Sequence, residues 1–355
     1  MNESLVKLAF HLDKCRKKAG QGMGLNWPKG QKNFPEESLI MQAESVTNLC
    51  TGLGIKIITL DEPEYPENLR KVPDCPEVLF VKGALLPRDK MAVAVVGTRK
   101  PSALGRAVVQ EIAGDLARVG ITVISGLAYG IDATAHQAAL SASGRTIACL
   151  GQGVDLVYPK ANRGLYDSIP KYGALLSEYL PGTQPRPWHF PERNRLISGM
   201  SLGVLVIEAG EKSGALITAD WALKHGRPVM AVPGSIKSKV CQGSNRLIQE
   251  GAYLVTCAED VLSFLRKENE YLPEGISEET KSLSLEESLI LRCLEQWESV
   301  DEICDNVNYI PVFKVISILS SLELRGMVKS LPGGKYIMTT AGYKLSGKKK
   351  VGDLE

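Results

Sequence analysis

Several short stretches of this chain place arginine, lysine, asparagine, serine and glycine where a bound anion would meet them. VVGTRKPSALG (95–105) sets the tight-turn residue Gly97 beside Thr98 and Arg99, just ahead of a helical segment. Exposed amides and a guanidinium then share one turn, a combination suited to a phosphate. SGLAYGIDATAH (125–136) carries Ser125 and then Gly126 and Gly130, whose bare α-carbons permit close backbone approach. Asp132 follows where it can cap the helix beginning there. YPKAN (158–162) adds Lys160 and Asn162, and FPERNRLISG (190–199) places Arg193, Asn194 and Arg195 at an expected helix start. EAGEKSGALITA (208–219) supplies Ser213, Gly214 and Thr218, and VPGSIKSKVCQGSNRLI (232–248) supplies Gly234, Gly243 and Asn245. Together these are the groups that hold a phosphate backbone.

The elements that must position them are legible in the hydropathy. From Met91, apolar runs of strand length (91–96, 121–126, 145–150, 174–179, 202–209, 227–232 and 253–256) alternate with helical segments such as GRAVVQEIAGDLARVG and SGALITADWALKHG. Runs apolar on both faces suit buried parallel strands joined by crossover helices, an α/β doubly wound, mostly parallel sheet. In such a sheet ligands bind beyond the carboxyl ends of the strands, which is where the motifs lie.

The first 90 residues predict a helix near Leu5–Leu12, a second over about 36–50, and a Pro-rich connector containing a short strand, Val78–Val81. Residues 267–284 form an acidic linker. From 285 three short helices precede two strands around a Pro-Gly-Gly turn, the order of a winged helix, ahead of a basic tail.

Charge singles out the middle of the chain. Met91–Arg246 holds 17 Lys+Arg against 10 Asp+Glu, a net +7, whereas 247–280 holds 2 against 8. The basic block is the part with an electrostatic reason to meet nucleic acid. The eight cysteines include no CxxC pair, so structural metal is not expected and the thiols read as small buried apolar groups. No run approaches the roughly 20 apolar residues of a membrane span, and the N-terminus lacks a signal peptide's apolar core, so a cytoplasmic location is expected.

Enzyme signatures are sparse. The first strand is followed by neither GxGxxG nor GxxxxGK[ST], and GxSxG and HExxH are missing, with four histidines in all. His136 has no partnered nucleophile nearby in sequence, so packing or hydrogen bonding is its expected role. Asp132, Glu178 and Glu208 are strand-end carboxylates that spacing alone leaves open to catalysis, capping or pairing with Arg195.

The ordered series VVGTR, SGLAYGIDATAH, YPKAN, SEY, FPERNRLISG, VIEAGEKSGALITA, VPG and GSNRLI resembles the DNA-processing protein A (DprA, or Smf) family over roughly 60–260. The resemblance implies an extended Rossmann-like core (61–266) between a helical sterile-alpha-motif-like domain (1–60) and a winged-helix domain (285–355). It also implies single-stranded DNA binding in a basic pocket, homodimers, and loading of the recombinase RecA during natural transformation, with no cofactor and no catalysis. Arg99 matches the family's DNA-contacting arginine, followed by Lys160 and Arg193–Arg195. The runner-up is a nucleotide-processing enzyme of the lysine-decarboxylase-like phosphoribohydrolase type. Its PGGxGTxxE signature would fall on EAGEKSGALITAD, where the catalytic glutamate has no clear counterpart.

Overall fold

The computed structural model describes residues 7–9, 12, 36–268, 285–294, 299–307, 310–324, 327–331 and 334–339. The chain divides into two compact units, Met1–Leu272 and Pro273–Glu355.

The large unit is built on nine strands: β1 (Ile55–Thr59), β2 (Val78–Gly83), β3 (Ala92–Val96), β4 (Thr122–Ser125), β5 (Thr146–Cys149), β6 (Ala174–Ser177), β7 (Gly203–Val206), β8 (Val229–Ala231) and β9 (Tyr253–Leu254). Their spatial order is β1-β2-β6-β5-β4-β3-β7-β8-β9, with β3 to β9 mutually parallel. The sheet is therefore doubly wound and mostly parallel, as the hydropathy predicts. One strand, β2 from the Pro-rich region, runs against the rest: it is antiparallel to β6 on one side and to β1 on the other, which leaves β1 in the common direction. Because Ile55–Thr59 is an edge strand of this sheet, residues 36–59 join the large unit rather than a separate helical domain ending at 60.

Helices in the large unit are α1 (Glu36–Gly52), α2 (Glu67–Arg70), α3 (Ala103–Arg118), α4 (Ile131–Ser141), α5 (Arg163–Tyr172), α6 (His189–Gly199), α7 (Gly214–Lys224), α8 (Gln242–Gln249) and α9 (Ala258–Glu268). Both faces of the central strands are covered. Val93, Val95, Val123 and Leu205 pack with Val109, Ile112 and Leu116 of α3, Ala135 of α4 and Leu265 of α9. On the opposite face Ala94, Val96, Val204 and Val206 pack with Leu196 and Ile197 of α6 and Ala215 and Ala219 of α7. This two-sided burial explains why β3, AVAVV, is apolar at every position. Each fully buried branched side chain contributes on the order of 1.5 to 3 kcal/mol.

The small unit has α10 (Leu285–Cys293), α11 (Val300–Asn306), α12 (Val312–Leu324) and a two-stranded hairpin of β10 (Val328–Leu331) and β11 (Lys335–Met338). Its own core gathers Ile290, Ile303, Val315, Leu319 and Met327. The expected acidic linker beyond residue 268, most of the first helix and the basic tail lie outside the described residues.

Candidate nucleic-acid interface

The winding changes direction at β3. From there the chain runs outward through β4, β5 and β6 on one side, then returns to β7, which pairs with β3 in the register Val96↔Val206. The loops after β3 and β7 part at this switch point and leave a crevice of about 700 Å³ at the carboxyl ends of the strands.

One wall is the turn 97–102. The Thr98 amide donates to the Glu208 carbonyl at 2.6 Å, and the Thr98 carbonyl accepts from the Ile131 amide at 3.1 Å. At the far end Ser102 caps α3 by accepting from the Gly105 amide at 2.9 Å. Arg99 and Lys100 stand exposed between these anchors. The other wall is the start of α7, where Ser213 is the N-cap and accepts from the Ala215 amide at 3.3 Å. Exposed Lys212 and Gly214 flank it, and Thr218 lies buried one turn further on. A helix N-terminus with free amides carries a partial positive charge that favours phosphate oxygens.

The floor is polar but internally satisfied. Arg193 is 3% exposed, and its Nη1 donates to the carbonyls of Gly126, at 2.8 Å, and Cys149. Asp132 accepts the Gly126 amide at 3.1 Å. Burial raises the Asp132 carboxyl above its ordinary range against the opposing pull of the Arg193 charge. Burial also lowers the Arg193 guanidinium. Gly126 lies between the two groups: a Cβ there would sit 2.5 Å from Arg193 Nη2 and 2.8 Å from Asp132 Oδ2, so only glycine fits.

Below this layer, Thr146 donates its hydroxyl proton to the Val123 carbonyl at 2.7 Å. His136 Nδ1, 2.6 Å from that hydroxyl oxygen, must therefore carry the proton of that pair, leaving Nε2 to accept the Leu127 amide at 3.3 Å. The imidazole is neutral, and burial pushes its pKa down to about 3.

Of the residues singled out in the sequence, the fold brings Gly97, Thr98, Arg99, Arg193, Asn194, Ser213, Gly214 and Thr218 to this crevice. The rest are distributed around it. Ser125 is buried and donates to the Val95 carbonyl at 2.7 Å. Gly130 packs against the backbone of Thr98 and Arg99. Lys160 is exposed in a short turn, and Asn162 of that turn donates to the Leu127 carbonyl at 2.9 Å. Gly243 donates to the Ala209 carbonyl at 2.7 Å, and Asn245 bonds both backbone groups of Gly234 at 2.9 Å, so these two brace loops.

The basic triplet departs most from expectation. It lies in the middle of α6 rather than at a helix start, and the 100° step per residue sends its members in different directions. Arg193 enters the core. Asn194 reaches the Gly214 carbonyl at 3.3 Å. Arg195 pairs with Glu178 and donates to the Asp74 carbonyl at 2.5 Å.

Sequence reasoning missed the aromatic rim. Half-buried Phe190 lies at the crevice, with the Arg99 guanidinium 5.9 Å and the Tyr158 ring 5.4 Å from its ring centre. Trp188, 53% exposed, has the Arg186 guanidinium 5.3 Å from its ring centre. Rings alternating with cations form the platform on which bases stack. The signal was present in WHFPERNR, which sets two aromatics beside the arginines.

Two of the groups with acid–base potential that the sequence singles out, Glu208 and His136, are held in internal hydrogen bonds. The Glu208 carboxylate is held by Ser102, and both nitrogens of His136 are engaged. Ser198, His225 and Asp74 form a hydrogen-bonded chain of 2.8 and 2.9 Å, but Ser198 is wholly buried, so this chain ties α6 to its neighbours and exposes no nucleophile. Among the described residues no cluster of His, Cys, Asp or Glu has the geometry to hold a metal ion.

Residues 56–266 match the family described as DNA recombination-mediator protein A. The chain belongs to that family. Among relatives of this recombination-mediator family, DNA processing protein DprA of Bacillus subtilis is 44% identical over 217 residues, 61% of this chain and 73% of that protein. Protein Smf of Escherichia coli is 38% identical over 323 residues, 88% of this chain and 85% of its own. In solved structures, DNA processing protein A of Streptococcus pneumoniae superposes with a TM-score of 0.59 at 36% identity, covering 73% of this chain and 95% of that one. That of Helicobacter pylori, a structure concerned with its single-stranded DNA binding mode, gives 0.54 at 29% identity over 60% of this chain and 97% of its own. The region matched by the family contains every element of the crevice. Among the described residues no helix is long and apolar enough to cross a membrane.

Proposed function

We propose that this chain binds single-stranded DNA in the switch-point crevice, shields it, and passes it to the recombinase RecA during natural transformation, acting as a homodimer in the cytoplasm. One observation carries the reading. Exposed Arg99, Lys100 and Lys212, the N-terminus of α7 and the ring of Phe190 converge on one crevice whose buried carboxylate, Asp132, is already bonded. Cations and free amides suit phosphates, and the ring suits an unpaired base, which a duplex keeps stacked away. Relatives named for DNA processing and the single-stranded DNA binding mode of the Helicobacter pylori protein support the same substrate.

The test is a titration of labelled oligonucleotides, single-stranded against duplex, across salt. Tighter single-strand binding is expected, falling with salt at a log–log slope of about −0.7 per contacted phosphate. Salt-independent binding, or a preference for duplex, overturns the reading. RecA transfer is checked by whether the protein speeds RecA filament growth on strands coated with a single-strand-binding protein, and the dimer by light scattering.

A further inference from the structure

Glu208 stands two residues beyond β7 and is only 6% exposed. A carboxylate beside a crevice for a polyanion has the wrong sign for binding, and its burial carries a desolvation cost that its partners must offset. Those partners belong to one segment. Oε2 accepts the Ser102 amide at 2.9 Å, Oε1 accepts the Ser102 hydroxyl at 2.5 Å, and the Glu208 carbonyl accepts the Thr98 amide at 2.6 Å. The carboxylate therefore holds the Ser102 end of the turn Thr98–Ser102, while the backbone carbonyl of the same residue holds the Thr98 end whatever side chain it carries, and the middle of the turn presents Arg99 and Lys100.

The start of α3 packs closely over the carboxylate. Ser102 is simultaneously the N-cap of α3, so displacing Glu208 loosens the turn and the helix start together. A Cβ on Gly105 would collide with the carboxylate, 2.7 Å from Oε1, so α3 closes over it only because position 105 has no side chain.

We propose that Glu208 is a positioning residue for DNA: it braces the turn so that the Arg99 guanidinium and the neighbouring amides are pre-set to meet phosphate before the strand arrives. This rests on the reading of the crevice as the single-strand interface and assigns within it a role to a residue that does not touch the strand. Two opposed effects follow. The charge of Glu208 repels phosphate, while its hydrogen bonds order the phosphate-binding turn. If bracing dominates, removing the side chain weakens binding; if charge dominates, removal strengthens it.

Glutamine separates the two. Its Oε1 can accept the Ser102 amide while its Nε2 donates to the Ser102 hydroxyl oxygen, so the brace survives without the charge. The experiment measures oligonucleotide affinity and its salt slope for the full chain and for Glu208→Ala, Glu208→Gln, Arg99→Ala and the Arg99→Ala/Glu208→Ala pair, with thermal unfolding to establish folding. Glu208→Ala is expected to lose tenfold or more, with a salt slope shallower by about 0.7 as one phosphate contact is lost. Glu208→Gln restores wild-type strength or exceeds it. In the Arg99→Ala background Glu208→Ala costs little more, since the two losses are one loss.

Should Glu208→Ala not fold, Ser102→Ala removes the hydroxyl partner with a smaller disturbance, and the same dependence on Arg99 is expected. The proposal is overturned if folded Glu208→Ala binds like the wild type, if its loss simply adds to that of Arg99→Ala, or if Glu208→Gln is as weak as Glu208→Ala. Failure of the wild type itself to bind single strands would instead sink the interface reading, and this proposal with it.

Discussion

The Arg193 guanidinium donates to the Gly126 carbonyl at 2.8 Å, turning the first arginine of the basic triplet inward beneath the crevice rather than out toward a ligand. Its removal strands the Gly126 and Cys149 carbonyls and leaves Asp132 without its neighbouring cation. Arg193→Ala should therefore cost about 3 to 5 kcal/mol of folding stability, the usual cost of removing one partner from a buried charged network. Urea unfolding midpoints measure it, and a wild-type midpoint combined with lost DNA affinity would make Arg193 a direct contact instead.

Arg99→Ala should behave in the opposite way. The side chain is exposed, so stability should move by less than about 0.5 kcal/mol while single-strand affinity falls by about 1 to 3 kcal/mol, the net strength of a charge-assisted bond. Paired unfolding and anisotropy titrations decide the matter. Unchanged affinity returns Arg99 to an ordinary solvated side chain.

Phe190→Ala should weaken single-strand binding by about 1 to 3 kcal/mol without changing the salt slope, because a stacking ring neutralises no phosphate. Phe190→Tyr should retain most of the affinity. A shallower slope in Phe190→Ala would mean that the ring's main task is to support Arg99, whose guanidinium lies 5.9 Å from it.

Acid should destabilise the fold through His136. Burial holds this imidazole at a pKa of about 3, below the 6.5 of an exposed histidine. Between those values the unfolded chain binds a proton that the folded chain refuses. Stability from this group is thus fully present above pH 6.5 and declines as pH falls toward 3, by up to about 1.4 kcal/mol per pH unit. Asp132, with its carboxyl raised, contributes with the opposite sign, so the comparison that isolates His136 is wild type against His136→Gln. The pH dependence of the unfolding free energy should be flatter in the variant over this window, and identical slopes would refute the assignment.

Deleting residues 281–355 should leave single-strand affinity within a few-fold of the full chain. Helix α12 of the small unit exposes Val312, Phe313 and Ile316, and its one cation, Lys314, lies 2.5 Å from Glu286. A helix read by DNA presents more positive charge than this. Oligonucleotide binding by the full chain and by residues 1–280 at equal salt is the check, and a tenfold loss, about 1.4 kcal/mol, would bring the small unit into DNA binding.

Residue order by itself determined the doubly wound sheet and the place of the motifs on it. Strands such as AVAVV, apolar at every position, are stable only when both faces are covered, and parallel winding then forces loops like 97–102 to one end of the sheet. The edge strands were less legible: Ile55–Thr59 follows a helix and carries Lys56, and nothing local distinguishes an antiparallel edge from a connector. Within the site, Arg99 and Ser213 were readable because a turn beside a helix start fixes where they face. Arg193 and Arg195 were not, since one is buried among carbonyls and the other paired with Glu178. Two identical residues two positions apart on a helix point about 200° apart, and whether each meets solvent, a carbonyl or a carboxylate depends on what lies across the helix. Only tertiary packing decides that, and it likewise set Phe190 beside Arg99 and spent Glu208 on Ser102.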